Sequence, residues 1–325
     1  MDLVSVIVPY YNSPLYQLKK CIDALCTQEY TDYEIIVIVD GSKKNYRLVQ
    51  QCYTEESRIR FVYKEHQGVS AARNLGISLA QGKYITFVDS DDYVDKDYLL
   101  RLVECSNDAD LVISGVTEQF FPSKYGRMPL KLFLSLPQEF NWVQYTNFPV
   151  NKLYRKDIIR KYQIQFPEDI SLGEDALFNA NYFQKCKRIS LTPAATYHYV
   201  PCPTSAIHTY RAEYWENEER VITAWWELFH QYSLNKDQQN FMYYWLYIKI
   251  NGALNYYSDH EKNGEVLQQM SERILSFPLT RILLTSKENG KSLMTKRERM
   301  KLVFMGILGK RYAQWNRFVR KYFKK

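Results

Sequence analysis

The first hundred residues alternate short apolar runs with segments of helical period. Apolar runs cover Leu3 to Val8, Tyr33 to Val39, Arg60-Phe61-Val62-Tyr63 and Tyr84 to Val88. Between them, apolar positions recur every three or four residues from Leu15 to Leu25, through Leu48, and from Ser70 to Ala80. Short apolar runs predict buried strands, and the three-to-four spacing predicts amphipathic helices. Strands separated by helices pair in parallel, because the crossover helix returns the chain to the same end of the sheet. The order therefore predicts an α/β fold, a mainly parallel sheet flanked by helices. Tyr98-Leu99-Leu100 begins another helix and Asp110 to Ser114 reads as a further short strand, followed by a region rich in Pro and aromatics up to about Thr209. Beyond Arg211 the pattern changes to long helices carrying Tyr214-Trp215, Trp225-Trp226 and the stretch from Phe241 to Tyr247. A boundary near residue 212 is expected, with an α/β domain over 1–212 and a helical C-terminal region over 213–325. The aromatic helices between Tyr214 and Tyr257 offer either a homodimer interface or the core of that second region.

In open α/β sheets, ligands bind outside the carboxyl ends of the strands. The segments that follow the strands here are Pro9-Tyr10-Tyr11-Asn12, Asp40-Gly41-Ser42 and Asp89-Ser90-Asp91-Asp92. The last places three carboxylates in four residues directly after an apolar run. Charges so close repel one another unless a cation or a set of donors compensates them. A divalent, oxygen-seeking ion would do so. An acidic turn capping the helix at Tyr98 would explain the same residues without a metal.

Composition narrows the class. The chain has 325 residues, 46% of them hydrophobic, which is ample for a packed core. No segment approaches the roughly 18 uninterrupted apolar residues that a membrane-spanning helix needs. The start, Met1-Asp2-Leu3, is acidic where a signal peptide is basic, and Pro9 ends the apolar run early. A soluble or peripheral cytoplasmic protein is expected. Its six scattered cysteines then read as reduced structural thiols. The net charge is +7, yet residues 296–325 hold eleven Lys or Arg against Glu298 alone, so the tail accounts for +10 and residues 1–295 for −3. Within that tail, Phe304, Leu308, Tyr312, Trp315, Val319 and Tyr322 follow helical spacing among basic residues. Such a helix reads as an anchor to an anionic membrane surface, or as a helix packed on its own domain with a solvated basic face. No nucleic-acid-binding module is recognisable, so nucleic acid is not an expected partner.

Six ordered motifs then carry a family resemblance. They are Val4 to Asn12, Glu34 to Ser42, Gly68-Val69-Ser70-Ala71-Ala72-Arg73-Asn74, Phe87 to Asp92, Asn151-Lys152-Leu153-Tyr154-Arg155, and Gly173-Glu174-Asp175-Ala176-Leu177-Phe178-Asn179. Together they resemble glycosyltransferase family 2 over about residues 3–208. The resemblance implies the GT-A fold, a Rossmann-like α/β sheet, here with an α-helical C-terminal extension. It also implies inverting transfer of a hexose or N-acetylhexosamine from a UDP-sugar, with Mn²⁺ or Mg²⁺ as cofactor. Zinc is disfavoured because no Cys/His cluster is present. The acceptor would be a hydroxyl of a glycan or lipid-linked oligosaccharide, in bacterial capsule or other surface-polysaccharide synthesis at the inner face of the cell membrane.

By the same resemblance, Tyr11 and Pro9 would lie against the donor base, with Tyr11 stacking on uracil. Asp40 would contact the uracil or ribose, although many relatives have two acids where this chain has Val39-Asp40. Arg73 would hold Asp40 or Asp89 in place, Asp89 would contact the ribose and Asp91 would ligate the metal, leaving Asp92 as a structural residue. Asp175 would be the catalytic base, and Glu174 would orient the acceptor or the loop. Lys152 and Ser205 would lie near donor phosphates or acceptor, His198 could assist the metal, and His208 is a weaker candidate. A turn-forming Asp40, a solvated Arg73, a helix-starting Asp175 and a structural His198 are the plain alternatives. A catalytically silent nucleotide-sugar or glycan-binding scaffold would keep the fold without turnover. A sugar nucleotidyltransferase would need a Gly-rich basic loop after the first strand, and Pro9 to Asn12 lacks one.

Overall fold

The computed structural model describes residues 2–42, 46–116, 126–129, 147–170, 172–201, 210–285 and 293–323. Strand β1 (Val4–Tyr10) is buried along its whole length, as a strand covered on both faces must be. Parallel neighbours β2 (Tyr33–Asp40) and β4 (Tyr84–Phe87) flank it. β3 (Ile59–Lys64) extends the parallel array outside β2. Helix α1 (Leu15–Cys26) buries Leu18, Cys21, Ile22 and Leu25 at its three-to-four spacing, and they join Val4, Val6, Val8, Ile35 and Val37 in one core. The short α2 (Arg47–Gln50) precedes β3, and α3 (Val69–Leu79) joins β3 to β4.

Helix α3 lies very close to the sheet at Gly76, where an added Cβ would sit 2.4 Å from Ile7 Cγ2. Gly76→Val should therefore cost roughly 1–3 kcal/mol through overpacking. A urea-denaturation midpoint lowered with unchanged slope would report it, and Ile7→Ala in the same chain should recover part of the loss.

Beyond β4, antiparallel pairs enter the mainly parallel sheet. Its order is β3-β2-β1-β4-β8-β6-β9-β7. Strand β8 (Lys152–Arg155) runs antiparallel to both β4 and β6 (Leu111–Ile113). Strand β9 (Arg188–Leu191) is parallel to β6, and β7 (Gly126–Pro129) closes the edge antiparallel to β9. A separate ribbon pairs β5 (Tyr93–Val94) with β10 (Tyr197–His198), which draws residues near 197 up to the acidic segment that precedes β5. Among the described residues, helices α4 (Tyr98–Glu104), α5 (Lys156–Lys161) and α6 (Glu174–Phe183) also belong to this part.

Two compact units are present, Met1–Thr204 and Ser205–Lys325. The division falls ahead of the expected residue 212, and local hydrogen bonds explain why. The Arg211 N–H donates to the Tyr256 hydroxyl at 2.6 Å, and the Tyr257 hydroxyl donates to the Ala212 carbonyl at 2.7 Å. These residues are thereby fastened to the second unit before its first helix begins. That unit holds α7 (Tyr214–His230), α8 (Lys236–His260), α9 (Gly264–Ser276), α10 (Pro278–Thr285), α11 (Lys296–Leu308) and α12 (Tyr312–Phe323). Trp215, Trp225, Tyr247, Leu254 and Tyr257 are buried inside it, so these aromatics form its own core.

The tail helix packs into that core as well. Tyr312 is fully buried, and the Trp315 ring lies 4.6 Å from Phe304 and 5.7 Å from Tyr312. Arg317 Nε donates to the Ser258 carbonyl at 2.6 Å. Of the expected stripe, Tyr312 and Trp315 thus pack on the unit while Phe304 stays 36% exposed; Val319 and Tyr322 belong to the stretch whose side chains lie outside the described residues, and Lys324 and Lys325 lie outside them altogether. Among the described residues, no helix is long and apolar enough to cross a membrane.

Candidate active site

The ends of β1, β2 and β4 converge with the start of α3, as the sheet rule requires. Pro9 is buried within β1 opposite Ile38. Tyr11 emerges from that end 46% exposed, and its ring stacks on His66 with centroids 4.0 Å apart and planes 15° apart. Gly41 makes this approach possible. Its φ is +65°, and a Cβ there would lie 2.6 Å from the backbone nitrogen of His66.

Asp40 organises this corner from beneath. Its Oδ1 accepts from Lys64 Nζ at 2.8 Å and the Gln67 N–H at 3.0 Å. Its Oδ2 lies 2.8 Å from His66 Nδ1 and accepts from the Gly68 N–H at 2.8 Å. Burial raises its pKa, but the hydrogen bonds from Lys64, Gln67 and Gly68 outweigh burial and leave it lowered. Four partners take up the acceptor capacity of a carboxylate that is 2% exposed. Expected at the base or ribose, Asp40 in this structure fixes the loop that presents His66 and begins α3.

Arg73, in the second turn of α3, is the hub of the site, although the side chain is only 3% exposed. Nη1 donates to Asp175 Oδ1 at 2.6 Å, Nη2 donates to Asp89 Oδ1 at 3.0 Å, and Glu174 Oε1 lies 3.9 Å from Nη1. The guanidinium also lies over the Phe166 ring at 5.3 Å, and Phe166 stacks on Phe178 of α6 at 3.9 Å. Burial opposes the Arg73 charge, but Asp175, Asp89 and Glu174 together raise its pKa. Of the two partners expected for Arg73, the structure provides Asp89 and not Asp40, and it adds Asp175. Glu174 and Asp175 open α6 after Gly173, whose φ of +94° lets the chain turn into the helix. Burial pushes the Asp175 carboxyl well above the usual range, Arg73 opposes that shift, and the Glu174 and Asp89 charges add to it.

In the acidic segment, the Asp92 N–H closes a turn on the Asp89 carbonyl at 3.0 Å. Asp92 is structural, as expected: it accepts from the Tyr197 hydroxyl at 2.6 Å and the Val200 N–H at 2.8 Å. Burial and the Asp89 charge push its pKa up to about 8. Asp91 has no ion-pair partner among the described residues. Burial raises its pKa and the neighbouring Asp89 charge raises it further. A carboxylate in that position fits a hard divalent cation, which would supply the missing compensation. No group of three or more His, Cys, Asp or Glu able to hold a metal comes together among the described residues. Among the described residues, Asp91 is the carboxylate that would hold such an ion.

His198 is not part of that set. Its Nε2 is 2.8 Å from Asp95 Oδ1 and its ring stacks on Tyr93 at 4.5 Å, so the structure commits it to the β5–β10 ribbon. Lys152, expected near donor phosphates or acceptor, is fully buried in β8, where its Nζ donates to the Phe148 carbonyl at 2.6 Å and to Asn151 Oδ1 at 3.0 Å. Ser205 and His208 lie outside the described residues.

Burial lowers the Lys152 pKa to about 7, with the Asp175 charge opposing. A lysine whose folded pKa lies below its unfolded value of about 10.4 makes stability rise with pH between those values, because the unfolded chain binds the extra proton. The melting temperature of native protein relative to Lys152→Met should accordingly climb between about pH 7 and about pH 10 and be flat below. A pH-independent difference would show that Lys152 stays charged when folded.

Sequence reasoning passed over His66, although it follows β3 and sits two residues before the Gly68 motif. The rule of strand ends could have found it. Asn74 was quoted but given no role: its amide donates to the Phe166 carbonyl at 2.8 Å and accepts from the Phe166 N–H at 2.9 Å, which holds the ring under Arg73.

Residues 5–163 match the family model described as Glycosyl transferase family 2. The match takes in most of the first unit, which carries a glycosyltransferase family 2 region. A relative, the uncharacterized glycosyltransferase EpsJ of Bacillus subtilis (strain 168), is 32% identical over 63% of this chain and 63% of its own length. Another, the poly(ribitol-phosphate) beta-N-acetylglucosaminyltransferase TarS of Staphylococcus aureus (strain MW2), is 29% identical over 60% of this chain and 35% of its own. The matched segments thus span less than two thirds of these relatives. Among solved structures, residues 1–349 of S. aureus TarS in complex with UDP-GlcNAc match with a TM-score of 0.76 at 18% identity, covering 100% of this chain and 93% of that one. A mannosyltransferase of Pyrobaculum calidifontis in complex with GDP-Man and Mn²⁺ matches with a TM-score of 0.52 at 14% identity, covering 99% and 88%. The fold of this family 2 glycosyltransferase domain is accordingly of the GT-A type, with a helical C-terminal region.

Proposed function

We propose that the chain transfers a hexose or N-acetylhexosamine from a UDP-sugar to a hydroxyl of a glycan or lipid-linked oligosaccharide, with inversion and with Mn²⁺ or Mg²⁺. The observation that carries this is the Arg73 bridge, which ties Asp175 to Asp89 at the carboxyl ends of the parallel strands. The first unit's family supports sugar transfer, and the UDP-GlcNAc held by a structurally similar enzyme supports a uridine donor. Surface-polysaccharide assembly at the inner face of a bacterial membrane is the proposed setting, by analogy with the polyribitol-phosphate acceptor in the name of TarS.

Each group then has a task. The Tyr11–His66 pair presents an aromatic face for the base, and base stacking contributes roughly 1–3 kcal/mol. Asp89, held by Arg73, is aimed for the ribose. A metal at Asp91 would supply charge neutralisation for the departing diphosphate. Asp175 receives the proton of the acceptor hydroxyl while that oxygen forms its bond to the anomeric carbon and the bond from that carbon to the diphosphate oxygen breaks. An elevated Asp175 pKa suits a base that must hold a proton near neutral pH.

Calorimetric titration with UDP separates this reading from a scaffold without a metal site. Native protein should bind UDP about 10- to 100-fold more tightly with Mn²⁺ than without, and Asp91→Asn should lose that gain. Equal enhancement in both proteins would remove Asp91 from the metal site.

A further inference from the structure

Helix α11 is apolar on two opposite faces. On one, Leu302 and Met305 are buried in the helical unit. The other carries Met300, Val303, Phe304 and Ile307 at positions i, i+3, i+4 and i+7, exposed to 58%, 55%, 36% and 71%. That spacing is the stripe by which a surface helix ordinarily packs against its own core, yet here it is the outward stripe.

Along the chain, the exposed charges that flank the ridge are basic. Lys296, Arg297 and Arg299 are exposed at its amino end, and Lys310 and Arg311 are exposed just past Gly309. The helix's acid, Glu298, is turned to other work: it closes a capping box with Thr295 and accepts from the Tyr244 hydroxyl. Behind the ridge, Trp315 backs Phe304 at 4.6 Å, so the outward side chains stand on a packed support.

We propose that the Met300–Ile307 face of α11 docks on an anionic phospholipid surface, with the apolar ridge entering the headgroup boundary and the basic side chains meeting lipid phosphates. Charge complementarity selects this occupant. Two copies joined through this face would bring tails of +10 each together, whereas an anionic leaflet attracts them. A short helix with an apolar ridge bounded by Lys and Arg is the form that lies in a membrane interface without crossing it. The surface differs from the stripe expected at Tyr312 and Trp315, which folds inward. It gives the proposed peripheral location a place on the molecule and does not rest on the sugar-transfer reading.

Cosedimentation of the full-length chain with vesicles tests it, using phosphatidylcholine alone and phosphatidylcholine mixed with phosphatidylglycerol. Native protein should bind the mixed vesicles, release them as salt rises from about 0.05 M to about 0.5 M, and bind neutral vesicles weakly. Val303→Glu/Ile307→Glu should lose at least about tenfold in binding with an unchanged melting temperature, because both side chains are exposed. Arg297→Gln/Arg299→Gln should lose affinity and salt dependence together. Undiminished binding by Val303→Glu/Ile307→Glu would overturn the proposal. A native dimer in light scattering that this variant dissolves, with no vesicle binding by the native chain, would overturn it in favour of a second copy.

Discussion

Asp175→Asn is expected to lower donor turnover by about 10²- to 10⁴-fold, the range over which a positioned general base contributes, with UDP affinity nearly unchanged. The amide keeps the shape and one hydrogen-bond acceptor for Arg73 but cannot take a proton. Asp89 remains bonded to Arg73 at 3.0 Å in the native arrangement, so the donor side of the site should survive the change. The pH profile adds a readout that a structural role would not move. Burial holds the Asp175 pKa above the usual carboxylate range, and activity should fall on the acid side as the carboxylate protonates. That limb should sit higher than a free aspartate would place it, and it should vanish in the residual activity of the Asn variant. Steady-state turnover across pH, with UDP titrations as the control, measures both.

Arg73→Met is expected to cost about 3–5 kcal/mol of stability, the usual penalty for removing one partner of a buried charge network. The loss leaves Asp89, Asp175 and Glu174 without the cation they share. Arg73→Lys should recover only part, since an ammonium lacks the planar fork that serves Asp175 and Asp89 from two nitrogens. The sign of the pH dependence follows from the carboxylates. Burial already holds the Asp175 carboxyl above the usual range and Arg73 opposes that shift; without the guanidinium it rises further, so the deficit should grow as pH rises through the Asp175 titration and shrink as pH falls. Urea denaturation at about pH 5 and about pH 8 checks this. A deficit independent of pH would mean that the arginine acts through packing on Phe166 alone.

Much of the frame was legible because it is written in local pattern. Hydrophobic runs located β1, β2, β3 and β4, helical spacing located α1 and α3, and the strand-end rule pointed to Tyr11 and the Asp89 segment. Strands β7, β8 and β9 were missed: four residues each is too short for an alternation to stand out, and their pairing partners are distant in sequence. The surroundings of Asp40, Lys152 and His198 were not legible, for one reason. A motif names a residue type at a position, whereas burial and hydrogen-bond partners depend on segments brought in from elsewhere, such as Lys64 and Gly68 for Asp40 or Phe148 for Lys152.

The tail shows a different failure. Reading one stripe from Phe304 to Tyr322 assumed a single helix, but Gly309, at φ +50°, breaks it in two. The helical phase restarts after the break. Phe304 of the expected stripe is 36% exposed while Tyr312 is fully buried, so the two do not share one face as a single helix would have them.

The most direct test of the account is UDP release from a panel of UDP-sugars with Mn²⁺, comparing native protein with Asp175→Asn. One donor turned over by the native chain, and turned over at least about a hundredfold more slowly by the variant while both bind UDP alike, is the expected result. Equal release by the two proteins would contradict the assignment of Asp175 as the base around which the site has been built.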